Sequence, residues 1–555
     1  MTRVDKRQSF NLVRDPWLPV RRRSGVVAWI SPADLTHGLR DDPAVAFAWP
    51  RPDFNGAAHE FMIGLLTTAA TPNDEEEWHR WWLEPPDPET LQARLAHVAC
   101  AFDLDGPGPR FLQDLDGLEG VPNRDVATLL IDAPGTETLS KNADVFVKRG
   151  GVPALGRPAA AMALFTLSAY APTGGSGHRT SLRGGGPLTT LIVPEHQGFG
   201  ETLWTRLWAN VESSQQILAR SPNGQSEGVV FPWMHPTRQS EPKAGGRATT
   251  PVDAHPLQVY WGMPRRIRLE FSRCERRRCG LTGEPDAVTV ESYRMRTYGT
   301  HYSEGFEHPL SPHYRSKVSD PVKRSYHAQP GAISYRLWPG VVVPSTDGLR
   351  EPASTLRQWY GRRSKRAQNM ANCRFCAFGY DMDQMKARAW IEGEKPLWRL
   401  DDEGSYELVS RFVDCIVAGA ASAANLVVKA IKNTRRDRPK DALGNYGFVS
   451  ERLYRETEHA FYEALSDAAS MIRAHLDADD PAVSVRERWS QTVAIAGLAL
   501  FDEYAPTEGV ETRAMHRHVK ARFNLVAALH GHGRQGKALF RDYDLAGPSR
   551  AAKRS

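Results

Sequence analysis

From residue 406 onward the chain repeats one pattern four times. Over residues 406–433 the apolar side chains Leu408, Val409, Phe412, Val413, Ile416, Val417, Ala420, Ala423, Ala424, Val427, Val428 and Ile431 recur at spacings of three and four. That is the period of a helix with one buried face. The pattern returns over 449–476 (Leu453, Phe461, Leu465, Ile472, Leu476), over 482–503 and over 512–529. Four amphipathic segments joined by short polar connections predict a four-helix bundle, and their apolar stripes predict its core.

The preceding part of the chain has another texture. Up to about residue 395 it is rich in Pro, Gly and Trp, with short apolar runs at 126–131 and 187–193 bounded by turn residues. Residues 258–262 and 265–271 alternate as strands do, and 57–70 and 158–168 read as helices. The expected class is therefore α+β: a large, irregular mixed α/β domain over 1–398, then the all-α four-helix bundle over 399–555. Two connections, 132–157 and 236–256, are long enough to suggest a functional role or order gained on assembly.

Composition narrows the class without naming a function. The 555 residues are 41% hydrophobic, enough for real cores. The longest apolar run, 493–501, is far shorter than the roughly 18 residues a membrane span needs, so no membrane partner is expected. The opening MTRVDKRQSF lacks the apolar stretch of a secretory signal, and 6 scattered Cys do not make a disulfide framework; a cytoplasmic location is expected.

The net charge of +6 is small, but it is unevenly spread. Residues 1–100 carry 11 basic and 14 acidic side chains. Seven Arg fall between Arg265 and Arg278 against two Glu; residues 355–368 hold five basic residues and no acid; residues 429–440 hold six against one. Basic clusters with interleaved aromatics suit a phosphate backbone and stacked bases, although a charge run is also ordinary solvated surface.

Catalytic signatures are weak. There is no H-E-x-x-H, and the nearest approach to a phosphate loop, GHGRQGKA at 531–538, has Ala538 in place of the metal-binding hydroxyl and follows a helix. The formal G-x-S-x-G around Ser226 has helix-like residues before it and strand-like residues after, the reverse of a nucleophile elbow. His516 and His518, two apart, do not share a helix face. No enzymatic activity is expected. Cys274, Cys279, Cys373 and Cys376 would supply the four thiolates of a structural zinc, but Cys376 lies in the apolar FCAF, which suits a buried thiol. No cofactor is expected. The glycines of PTGGSGHR and of RGGGP allow a close approach of backbone to another surface, a duplex groove included, or form ordinary turns.

Several stretches together resemble the large subunit (CasA) of the type I-E CRISPR surveillance complex Cascade. They are NLVRDPWLPV near the start, SAYAPTGGSGHRTSLRGGGPLTTLIV, FEHPLSPHY and the C-terminal bundle. The resemblance runs in order along nearly the whole chain. It implies a non-catalytic subunit that recognises the protospacer-adjacent motif in double-stranded target DNA from the minor groove. It also implies that the subunit starts unwinding, stabilises the R-loop, joins crRNA-containing Cascade subunits and recruits a nuclease-helicase. The protein reads the short motif and base pairing reads the rest. By the same resemblance Gly174, Gly175, Ser176 and Gly177 match the glycine loop, and Arg276, Arg277 and Arg278, before Cys279-Gly280, match the basic finger. Gln358 and Trp359 match the unwinding wedge, with 365–368 as the competing placement. Arg294, Arg296, Arg362, Arg363, Lys429, Lys432, Arg435 and Arg436 are expected on DNA backbone. Ser140, Lys141, Asn142 and Phe146 are expected on a loop that docks into the complex. The alternative is a structural scaffold of a ribonucleoprotein without motif reading.

Overall fold

The computed structural model describes residues 9–547 apart from 143, 145–148, 173–174, 222–227, 274–276, 365–372, 384–385, 398–402, 436–439, 441, 476–479 and 509. The chain forms two compact units. The first comprises residues up to Arg315, Ser319–Pro330 and Ala353–Trp398; the second comprises Ser316–Val318, Gly331–Pro352 and the chain from Arg399. The class is α+β, mixed in the first unit and helical in the second.

The first unit is organised by three sheets. Strands β1 (Leu18–Arg22), β2 (Val27–Ile30) and β3 (Ala44–Phe47) form one, in the order β2-β1-β3. Strand β8 (Val288–Arg296) pairs with β7 (Arg266–Arg273) along one edge, and with β4 (Asn123–Asp125) and β5 (Leu155–Gly156) along the other. Strand β6 (Thr189–Val193) pairs with β9 (Arg374–Asp383), which pairs with β10 (Lys386–Pro396). All these pairings are antiparallel.

Helix α1 (Pro52–Ala69), which α2 (Glu75–Leu83) follows, is the core of this unit. Almost every residue on it is buried, which is how a helix apolar on all sides behaves. The Phe61 ring meets Trp17, Phe102, Phe111, Phe165 and Trp261 edge-on, with centroids 5.0–5.9 Å apart. This edge-to-face arrangement is the one that aromatic quadrupoles favour. Glu60 also lies on α1, and a buried carboxylate needs partners. It receives an ion pair from Arg183 at 2.6 Å and hydrogen bonds from the Tyr170 and Thr189 hydroxyls. Arg183 donates further to Thr189 at 2.9 Å and to Ser311 at 3.1 Å.

This network explains the RGGGP stretch. Gly186, at φ +64°, lies so close to the Tyr380 carbonyl that a Cβ would stand 2.3 Å from its oxygen. Its N–H donates to Tyr170 O and its carbonyl accepts from Ala328 N–H. The glycines let Arg183 turn inward while the chain passes between α3 (Arg157–Tyr170), β9 and residues 327–328.

The second unit is a bundle of α4 (Glu403–Arg435), α5 (Gly447–Ala474), α6 (Val483–Tyr504) and α7 (Thr512–Leu529), with a shorter α8 (Gly533–Asp542) packed on α4 and α7. Tyr335 stacks on Phe461 at 4.5 Å and bonds Thr457, and Trp338 meets the same ring at 5.6 Å. Residues 331–352, expected within the mixed domain, thus belong to the second unit, with Tyr335 and Trp338 in its core. Among the described residues one helix, Tyr406–Arg435, is long and apolar enough to cross a membrane, and half of its most apolar stretch is buried in the bundle.

Two sequence expectations differ in detail. The alternating stretch at 258–262 is a short helix, Gln258–Trp261, with all four side chains buried, so its alternation was not a strand signal. Residues 126–131 begin with a 3-10 turn, Val126–Leu129, capped by Asp125.

Burial leaves a pH signature. His59 and His313 are buried, and desolvation, reinforced by nearby cations, pushes both rings down to about 3. The folded value lies below the unfolded value of about 6.5, so stability is complete above that pH and falls as pH drops below it. Each ring is expected to remove about 1.4 kcal/mol per pH unit between roughly pH 6 and 4. Urea unfolding followed by tryptophan fluorescence at pH 7 and 5 tests this: His313→Asn should flatten the pH dependence, and an unchanged slope would contradict the assignment.

Candidate nucleic-acid interface

The β7–β8 ribbon carries the basic cluster. Its register is regular from Arg266↔Arg296 to Glu270↔Ser292 and shifts by a bulge at Glu270/Phe271. Beyond β7 the chain passes through the predicted finger. Arg276 lies outside the described residues. Arg277 pairs with Glu291 on β8. Arg278 is exposed and donates to Gly283 O at 2.9 Å. The turn is anchored behind it: Cys279 is buried, its N–H donates to Glu284 O, and Gly280 N–H donates to Ala154 O, both at 2.8 Å. Among the described residues of the predicted finger, Arg278 is the more exposed cation, and the backbone behind it is pinned.

The glycine loop is docked on the far end of the same ribbon. Gly174 lies outside the described residues. Gly177 accepts from Tyr298 N–H at 2.8 Å and has φ +76°. A Cβ there would stand 2.9 Å from Thr297 Cβ and 3.2 Å from the Tyr298 ring, so only glycine fits. Gly175 has φ +105° with open space around it, and Ser176 is exposed. The loop presents backbone with almost no side chain in front. Thr297 and Tyr298, which seat it, carried no signal in the sequence beyond following the strand.

Other predicted DNA contacts are tied to protein. Arg294 donates to Gly117 O at 3.2 Å and pairs with Glu270 at 3.3 Å. Arg296 is more exposed, with a long 3.4 Å pair to Asp116. Arg362 is exposed. Arg363 is a correction: it is fully buried, with Nε 2.9 Å and Nη2 3.1 Å from the two Glu75 oxygens. It also donates to the carbonyls of Ala209 and Val211 and stacks 4.4 Å over Trp78. Burial rather than a phosphate decides its role, since a charge out of water needs these fixed partners. Trp359 is corrected for the same reason. It is fully buried against Trp78 and Trp82, at 6.4 and 6.0 Å, so it cannot enter a duplex without leaving the core. Gln358 is half-buried on the same turn. The competing wedge placement, 365–368, lies outside the described residues.

In the second unit Lys429 and Arg435 are exposed along α4, Lys432 lies 4.9 Å over the Tyr446 ring, and Arg436 lies outside the described residues. In the docking loop, Ser140 and Lys141 are exposed. Asn142 accepts from Arg149 at 3.0 Å, and Arg149 also holds Asp144 and the Leu139 carbonyl. The loop is therefore not featureless: Thr136–Ser140 is a helical turn and Arg149 clasps the residues after it. Phe146 lies outside the described residues.

The described cysteines do not gather. Cys279 belongs to the β7–β8 turn, while Cys373 and Cys376 are buried on the β6–β9–β10 sheet; Cys274 lies outside the described residues. Burial pushes the Cys373 thiol up to about 12 and Cys376 higher still, so both favour the neutral thiol of a core residue. No group of three or more His, Cys, Asp or Glu suited to a metal occurs among the described residues.

The core assignment of Trp359 has a measurable consequence. Trp359→Ala should cost about 3–5 kcal/mol of stability, read by urea unfolding. A variant of unaltered stability that fails only in opening duplex DNA would restore the wedge role.

The full chain matches solved structures throughout its length. It aligns with Cse1 from Acidimicrobium ferrooxidans at 18% identity and a TM-score of 0.64, covering 98% of this chain and 100% of that one. Cse1 from Thermobifida fusca gives 18% and 0.67, covering 97% and 99%. A chain of a CRISPR RNA-guided surveillance complex gives 17% and 0.66, covering 94% and 100%. At these identities the likeness is one of fold. Residues 11–500 match the model of the family described as CRISPR-associated protein Cse1. The chain belongs to the Cse1 family, the large subunit of the type I-E CRISPR Cascade surveillance complex.

Proposed function

We propose that this chain is the non-catalytic, cytoplasmic subunit that recognises the protospacer-adjacent motif in target DNA within a crRNA-guided Cascade complex. In this reading the loop 174–177 lies along the minor groove and Arg276–Arg278 insert as the finger. Gln358 begins strand separation, with 365–368 as the competing placement, and Lys429, Lys432, Arg435 and Arg436 help hold the R-loop. The loop containing Ser140, Lys141, Asn142 and Phe146 meets the crRNA-containing subunits, and the assembled subunit recruits the nuclease-helicase.

The observation that carries the reading is the pairing of a side-chain-free loop with a cationic projection on one ribbon. Gly175 has open space where a side chain would stand and Ser176 is exposed, while Gly177 is pressed against Thr297 and Tyr298. A groove reader needs close backbone approach, and arginine suits a narrow, electronegative minor groove. With Arg277 paired to Glu291, Arg278 is the finger residue to test first.

The experiment uses the assembled complex and duplexes that differ only in the few bases beside the protospacer. Gly177→Val should abolish motif preference while assembly is retained; preference that survives removes the loop from the reader role and favours the scaffold. Arg278→Ala should weaken binding to all duplexes and lower the salt slope by about 0.9 if one phosphate contact is lost.

A further inference from the structure

The arginines of the β7–β8 ribbon divide by face. Residues directly opposite in a sheet share a face, and successive residues alternate. Arg266, Arg268, Arg294 and Arg296 fall on one face, and each has a partner there. Arg266 pairs with Asp114 at 2.5 Å, Arg268 donates to Asp114 O at 2.9 Å, Arg294 pairs with Glu270, and Arg296 pairs with Asp116. On the other face Arg124 of β4 stands opposite Tyr293, which stands opposite Leu269 of β7. Arg265, just before β7, falls on this second face by alternation.

Arg124 and Arg265 have no carboxylate within ion-pair distance among the described residues. Arg265 donates from Nη2 to Pro172 O at 2.5 Å, and its Nε is buried without a hydrogen-bond partner. Burial and the nearby Arg124 push its pKa down to about 10, so it stays charged near neutrality. The same two arginines, with desolvation, push His178 down to about 4 and keep it neutral. Arg265 is half-buried, and a cation partly withdrawn from water normally has its counter-charge in place; among the described residues no carboxylate compensates this one.

The location gives that field a use. Pro172, which takes the Arg265 bond, is at one end of the glycine loop, and Tyr298, which holds Gly177, is at the other. The Arg265 Cα stands 3.1 Å from where a Cβ on Gly299 would be, so Arg265 is packed directly beneath the loop's seat. Arg124 is exposed on β4, on the same face, and its charge reaches Arg265.

We propose that Arg124 and Arg265 form a phosphate seat at the root of the glycine loop, which takes a backbone phosphate of the target duplex. Arg124 makes the contact and Arg265 supplies charge from behind; arginine's planar donors match a phosphate's oxygens. The inference rests on the duplex-binding reading of this face, but its contact is with backbone and not with bases.

The test is the salt dependence of duplex binding by the assembled complex carrying Arg124→Gln, an exposed change that leaves folding intact. Arg265→Gln is measured in parallel. The log–log slope should fall by about 0.9 for Arg124→Gln, equally on duplexes with and without the motif, leaving their affinity ratio unchanged. An unchanged slope overturns the seat. So does a loss confined to the motif duplex, or a loss of assembly onto the crRNA-containing subunits with the DNA slope intact. Should Arg265→Gln fail to fold, Arg124→Gln decides alone. If Gly177→Val leaves motif preference intact, the loop's reader role fails, yet the slope on motif-free duplex still tests the seat.

Discussion

The ion pair between Glu60 and Arg183 is the constraint on which the first unit turns. It joins α1 to the turn before β6, and through the Tyr170, Thr189 and Ser311 hydroxyls it ties in α3, β6 and residues 308–313. A buried pair of this kind need not add net stability over an apolar substitute; what it imposes is a geometry, because neither partner tolerates losing the other. Arg183 reaches Glu60 only if the following residues fold back sharply, which the three glycines allow. The RGGGP stretch is therefore an architectural one.

That geometry sets where the glycine loop begins. The loop leaves α3 immediately after Tyr170, whose hydroxyl is held by Glu60 and whose carbonyl is held by Gly186. It ends on Tyr298, at the exit of β8. The first end is thus held by the buried network, and the second by the exit of β8. Charge follows the same division of labour. Arginines that shape the ribbon are neutralised by Asp114, Asp116 and Glu270, while among the described residues Arg124, Arg265 and Arg278 have no carboxylate within ion-pair distance.

The bundle was legible because its period is local: a 3.6-residue stripe can be read in any window of the chain. The same reading missed the contribution of residues 331–352, since Tyr335 and Trp338 find Phe461 more than a hundred residues away. Trp359 and Arg363 show the limit most clearly. A basic, aromatic stretch has the same composition whether it faces a nucleic acid or a core. What decided the matter was Glu75, 288 residues earlier, together with Trp78 and Trp82. The glycine loop was legible from residue type alone, because backbone freedom is a property of glycine itself. Its dock on Thr297 and Tyr298, and the uncompensated charge of Arg265, depend on strand pairing and had no sequence signature.

The central claim is that the backbone of the glycine loop, aimed by this network, lies against the motif base pairs. A photoreactive residue in place of Ser176, which is exposed and unhindered, tests it most directly within the assembled complex. On irradiation with target duplex, the account predicts crosslinks to the few base pairs beside the protospacer, lost when those bases are changed. Crosslinks elsewhere on the duplex, or to crRNA or protein alone, would contradict it.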